Sequence, residues 1–400
     1  MMKITRIGSA LLCALLLVGT AACASAEWRE ETKNGKVIRK TWTDGETEVS
    51  PEGYAEVTYS YNGTAVTERY FGPDGSPAQA AGGYFGQILT YGNKRRVEEI
   101  VYLDAEGAKA ECAAGYARVK MGYTSAGGIT VASYYDAENN LTLVPSLGYA
   151  QVKNDYRGTT LTRTTYLGPD KKPVDTPLGY AVRIQSVNKS NRVTGISFEH
   201  ADGSAAVGPE GWASMKRELD KKNREISVKY YDAAGALTER GLGYAYETRD
   251  WENDRAYTVR RYNSADQQVS FGDGIAALRR EMNRAGLVTR EESLDADGKM
   301  TENAEGVAAR RYEYDGDGRL TRVMFEGSRG DTTENTSGYA GYEETLDGDG
   351  FPVRRVYLNK GGKPTDTAAG YSEVRFAYDA NHRRTGTEYY DTNGNLVKQE

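Results

Sequence analysis

The residues able to do chemistry are few and scattered. The 400-residue chain holds two histidines, His200 and His382, in stretches far apart, and three cysteines, Cys13, Cys23 and Cys112. Covalent catalysis needs a nucleophile beside a base, with a third group to orient that base. Cys112 stands between Glu111 and Ala113 with no histidine near it. No Gly-x-Ser-x-Gly elbow, phosphate loop or His-Glu-x-x-His pattern occurs. Carboxylates are plentiful, but a glycosidase needs two of them held across a cleft. The expectation is a protein that is not an enzyme and uses no cofactor or metal. A glycan-active enzyme is the distant alternative.

Two other motifs invite chemistry. Asp295-Ala-Asp297-Gly298, Asp315-Gly-Asp317-Gly318 and Asp347-Gly-Asp349-Gly350 suggest calcium loops. With each final glycine at the sixth position of an EF-hand loop, the first ligand becomes Ser293, Glu313 or Thr345, and Met324 takes the twelfth place in the middle case. The template fails, and turn chemistry accounts for the motif: Asp bonds the local backbone and Gly accepts positive φ. Arg329-Gly330-Asp331 is an integrin-type tripeptide in a loop where Gly-Asp is ordinary turn chemistry.

These residues must sit on a frame. Tyrosine dominates the aromatics, with 30 Tyr against 7 Phe and 4 Trp, and glycine numbers 46. That mixture fits Tyr-rich strands joined by Gly-rich turns. The leader carries Lys3 and Arg6 ahead of an apolar run from Ile7 to Val18. That run has the length of a signal-peptide core and is short for a membrane span. Ala24-Ser25-Ala26 offers a cleavage site before Glu27. Thr20-Ala21-Ala22-Cys23 is the competing reading, a bacterial lipobox in which Cys23 is lipidated, with Thr20 where a large aliphatic usually stands. Either way the chain is exported, to the cell surface, the periplasm or the medium. No later run is apolar enough for a transmembrane helix.

The formal charge is −6, and losing Lys3 and Arg6 with the leader takes it to −8. That balance argues against nucleic acid or an anionic membrane as partner. One interior cysteine, Cys112, leaves no intramolecular disulfide in the exported chain.

A Gly-Tyr-Ala phrase starts at Gly53, Gly83, Gly115, Gly148, Gly179, Gly211, Gly243, Gly274, Gly306, Gly338 and Gly370, at intervals of 30 to 33 residues. Such regular self-similarity marks a tandem repeat. The organisation is therefore a signal peptide over 1–26, a degenerate cap repeat over 27–52, and eleven tandem units over 53–400. Inside a unit, Ala55, Val57, Tyr59 and Tyr61 alternate with Glu56, Thr58 and Ser60, the period of a half-buried strand. A turn follows, then a second strand such as Ile226, Val228 and Tyr230, then another turn and a short third segment. The fold class is all-β, an elongated tandem-repeat array of β-hairpins or a β-solenoid. The hairpin spacing of the turns favours the array.

Tyr314-Asp315-Gly316-Asp317-Gly318-Arg319-Leu320 resembles the core of the YD (RHS) repeat, and Tyr390-Asp391-Thr392-Asn393-Gly394-Asn395-Leu396 is similar. The resemblance implies extracellular β-strand repeats. The family's period is nearer twenty residues, so its function transfers poorly.

The aromatic of the phrase recurs at Tyr54, Tyr84, Tyr116, Tyr149, Tyr180, Trp212, Tyr244, Tyr339 and Tyr371, with Ile275 and Val307 in the slot of two units. One residue ahead of the Ala-Val-x-Tyr face, it is expected to point the other way. Such a ladder can pack unit on unit or stack on sugar rings, and packing is the preferred reading. The function that follows is a non-catalytic scaffold binding a macromolecule, either a protein or a glycan. The alternative is a carbohydrate- or cell-wall-binding module that uses the ladder.

Overall fold

In the computed structural model, residues 27–43, 49–239, 241, 243–379 and 382–400 are described. The leader, with Cys23 and the cleavage site, lies outside them. The described residues carry 26 β-strands, and every strand pairing among them is antiparallel. The single helical element among them is a 3-10 turn at Asn93–Arg95. The chain divides into two compact units. One runs to Lys216 and includes Tyr231–Gly235, and the other comprises Arg217–Tyr230 and Ala236–Glu400. Within each, strands pair with their neighbours in sequence. This is the hairpin array and not the solenoid.

The first repeat shows why. Glu56–Asn62 and Ala65–Phe71 are runs of alternating character joined by Gly63 and Thr64. The register sets Val57 opposite Tyr70, and both are buried. Buried apolar pairs fix register, because a slip of one residue would carry the whole face to solvent. Past Phe71 a second turn returns the chain for a single bridge to Pro77. A tight bend follows, with the Gly53 N–H donating to the Ser50 carbonyl and the Gly83 N–H to Ala80. Gly53 holds φ +96°, which favours glycine there.

Pairing within a repeat is fuller than pairing between repeats. Arg118–Tyr123 and Ile129–Tyr135 share six residue pairs, while Val97–Leu103 meets Arg118–Tyr123 through three. The last strand, Leu396–Gln399, lies along Arg384–Tyr390, and Thr387 and Glu400 exchange both backbone hydrogen bonds. It takes the place that the next repeat's first strand holds elsewhere.

One expectation is corrected. The Tyr54 ring does not point away from the Val57 face but packs on it, stacked on Tyr70 at 4.4 Å with planes 20° apart. Strand alternation does not extend back to Tyr54, because the bend at Ser50–Gly53 resets the chain direction ahead of Glu56.

Candidate interaction surface

The ladder positions come together, each beside a partner row that the sequence reading did not single out. In the N-terminal unit the rings run Trp42, Trp28, Tyr54, Tyr70, Tyr84, Tyr102, Tyr116, Tyr134, Tyr149, Tyr166, Tyr180, Phe198 and Trp212, with centroids 4.4 to 6.1 Å apart. These spacings suit edge and tilted aromatic contact. Alternate members come from the second strand of each hairpin: Tyr70, Tyr102, Tyr134, Tyr166 and Phe198. Their own recurrence every 32 residues was the signal that could have found them. In the C-terminal unit Phe325, Tyr339, Tyr357, Tyr371 and Tyr389 continue the pattern at 4.7 to 5.8 Å.

Burial differs along the ladder. Tyr116, Tyr149, Tyr180, Trp212 and Tyr244 expose 3 to 7% of their surface, while Tyr54, Tyr84, Tyr339 and Tyr371 are half-buried. Burial pushes the Tyr149 hydroxyl up to about 12 and raises Tyr180 and Tyr339 as well. Ile275 and Val307, in the same slot, are also buried. Beside Ile275 the second row holds Arg261, whose guanidinium lies 4.3 Å from the Tyr244 ring and 4.2 Å from the Phe271 ring. A cation there replaces ring contact with cation–π attraction.

Where the ladder is interrupted, charges fill the strands. Arg280 faces the core and pairs with Glu291 at 2.6 Å. Burial opposes the Arg280 charge, yet the Glu291 carboxylate outweighs it and lifts its pKa. On the other face Glu326 is 3% exposed and lies between Arg290, at 2.7 Å, and Arg311. An open cleft of about 380 Å³ there is lined by Glu281, Thr289, Arg290 and Arg311. A second, of about 650 Å³, lies between the turns at 283–289 and 312–318.

The motifs weighed for chemistry occupy turns or structural slots. His200 Nδ1 lies 3.0 Å from the Asp175 carboxylate, and His382 stacks on Phe351 at 4.5 Å. Cys112 is buried in the bend slot that other repeats fill with Ala80, Val144 and Thr176. Asp295, Asp315 and Asp347 each accept two backbone N–H groups of their own turns through Oδ1. Arg329 and Asp331 are exposed around Gly330, which holds φ +80°.

No protein family matches the sequence, and no curated protein matches it. Among solved structures, it is similar to a chain in the crystal structure of TcdB2-TccC3-TEV, with 11% identity over 93% of this chain and 19% of that one, at a TM-score of 0.38. A chain of the Photorhabdus luminescens Tc holotoxin pore matches at 9% identity over 89% and 20%, with a TM-score of 0.23. A porin-like protein from Bacteroides uniformis matches at 7% over 86% and 92%, with a TM-score of 0.18. The chain thus spans about a fifth of the length of the toxin chains. These likenesses are too slight to carry function.

Proposed function

We propose that this chain is an exported, non-catalytic repeat scaffold that presents a varied β-surface to a macromolecular partner at or beyond the cell surface. One observation carries the reading: a constant frame holds a variable face. The third residue of the first strand keeps its register from repeat to repeat, yet it is Thr58, Ile88, Lys120, Ile184, Arg279 and Glu343 in different repeats. The buried ladder supplies the constant part, as in other repeat proteins whose stacked units share a core and expose a binding surface. The signal-peptide pattern and the YD-like motif at Tyr314–Leu320 support export.

The sugar-stacking alternative has less to draw on. A ring that exposes under a tenth of its surface, as Tyr149 and Trp212 do, offers little face to a sugar. The test is retention of envelope and secreted material on the immobilised full chain. A partner held by the chain, and lost when the exposed Lys120, Lys153 and Lys216 are replaced by Glu, supports the scaffold. No retained macromolecule of any class, under low or high salt, overturns it.

A further inference from the structure

Each hairpin of the N-terminal unit has two turns, one joining its strands and one after its second strand. Strands of six to eight residues separate the two rows by about 20–26 Å. The rows carry opposite charge. The strand-joining turns at 92–96, 124–128, 157–160 and 188–192 hold Lys94, Arg95, Arg96, Arg157, Lys189 and Arg192 and no Asp or Glu. The turns at 72–76, 104–108, 136–140, 168–172 and 200–204 hold seven Asp or Glu against two Lys.

The acidic row has a local explanation. Asp74, Asp136 and Asp202 each take a backbone N–H of their own turn on Oδ1, the ordinary Asx arrangement. The basic row is built differently. Two of its turns keep the same hydrogen bond while dropping the negative charge: Asn188 Oδ1 accepts from Ser190 and Arg192, and Thr124 Oγ1 accepts from Gly128. In the C-terminal unit Asp220, Asp315 and Asp347 do that work, with Asn283 doing it in the turn at 283–287. Lys94, Arg96 and Arg157 reach carbonyls of the following turn, Ser125, Thr124 and Asn188, while the Glu98 carboxylate lies against Gly92 in the first of these turns. Lys94 and Arg95 also hold φ of 62° and 56°, a conformation that favours glycine.

We propose that this turn edge is a binding ridge for a linear anionic glycan, whose sulfate, phosphate or carboxylate groups meet the Lys and Arg of the turns at 92–96, 157–160 and 188–192. Successive hairpins add two strands, about 10 Å, so these three turns stand about 20 Å and 10 Å apart. A linear polymer can therefore engage several at once, while the acidic net charge is held away on the opposite row. The inference rests on the scaffold reading and names the partner's class.

The test is titration of the full chain with dextran sulfate, a phosphorylated mannan and polygalacturonate, at about 50 and 200 mM salt. At least one should bind, with affinity falling about tenfold or more across that salt range, as ion release requires. Arg95→Gln with Lys189→Gln should weaken binding about tenfold while the circular dichroism and melting temperature hold. Asp74→Asn with Asp202→Asn, on the opposite row, should leave it unchanged. The polymer that binds identifies the anionic group. No binding of any of the three at low salt overturns the proposal, as does binding indifferent to the Arg95 and Lys189 changes. Self-association at low salt, lost in that variant without polymer binding, also overturns it and assigns the edge to a second copy. In any of these cases a partner retained through Lys120, Lys153 and Lys216 leaves the scaffold reading standing.

Discussion

The Tyr314 hydroxyl lies 2.6 Å from the carbonyl oxygen of Val288, one repeat earlier. The same clasp recurs from Tyr61 to Val37, Tyr123 to Val97, Tyr156 to Ile129 and Tyr378 to Pro352, with Trp251 donating its indole N–H to Glu225. It gives the tyrosine of the YD-like motif a physical role: it ties one hairpin to its predecessor near the tips, where the strands separate. Tyr314→Phe keeps the ring and removes the donor. It should cost about 1 kcal/mol, the usual net value of such a bond. Urea unfolding checks this, and an unchanged midpoint would remove the clasp from the account.

Ladder rings should matter more. Tyr149 touches Tyr134 and Tyr166 and exposes 5% of its surface. Tyr149→Ala should destabilise by about 3–5 kcal/mol, and Tyr149→Phe by far less, since the ring stays. Calorimetry on both variants separates lost packing from a lost hydroxyl.

Alkali should unfold the protein through the same residues. Burial raises Tyr149 from 10.0 to about 12. The folded value lies above the unfolded one, so the neutral hydroxyl contributes stability that is complete below pH 10. That stability is lost as pH rises from about 10 toward 12. Phenolate absorbance followed against pH should show a late group of tyrosines ionising together with loss of structure. Independent titration near pH 10 by all of them would contradict the burial.

Cys112 should be replaceable. Its slot holds Ala80 and Val144 in neighbouring repeats, so Cys112→Ala is expected to cost about 1 kcal/mol or less, near the value of a small core deletion. In the native protein its buried thiol should react with a thiol reagent only as the fold opens. Fast labelling without unfolding would show an accessible sulfur.

Glu326 is a different matter. Glu326→Ala removes the buried carboxylate that Arg290 and the more exposed Arg311 share, while Arg290 keeps Glu292, and losing such charged hydrogen bonds costs about 1.5–3 kcal/mol. Substituting Arg290 and Glu326 together by Leu should recover much of that loss. A double variant as weak as the single one would show that packing, and not charge, sets the cost.

The repeat, its hairpins and its turns were legible because period and turn chemistry are local. Asp315 to Gly318 and Gly72 to Gly75 read as turns and are turns. The face of Tyr54 was not legible, since alternation was carried across a bend that only the Gly53 backbone reveals. Arg280 lies on the core face in line with Leu278 and Met282, and its partner Glu291 can be paired with it only once the register is known. The segregated turn edges were hidden as well. Basic and acidic turns alternate along the sequence, and a net charge averages what the fold separates.

The uneven pairing also sets how the chain would answer to force. Six residue pairs hold Arg118–Tyr123 to Ile129–Tyr135, and three hold Arg118–Tyr123 to the strand before it. Tension applied along the chain loads the seams between hairpins before the hairpins themselves. The array would then peel one repeat at a time, each releasing about 110 Å of extended chain at the backbone's reach per residue. Such a molecule lengthens in steps and dissipates a pull, where a uniformly bonded sheet would resist and then fail as a whole.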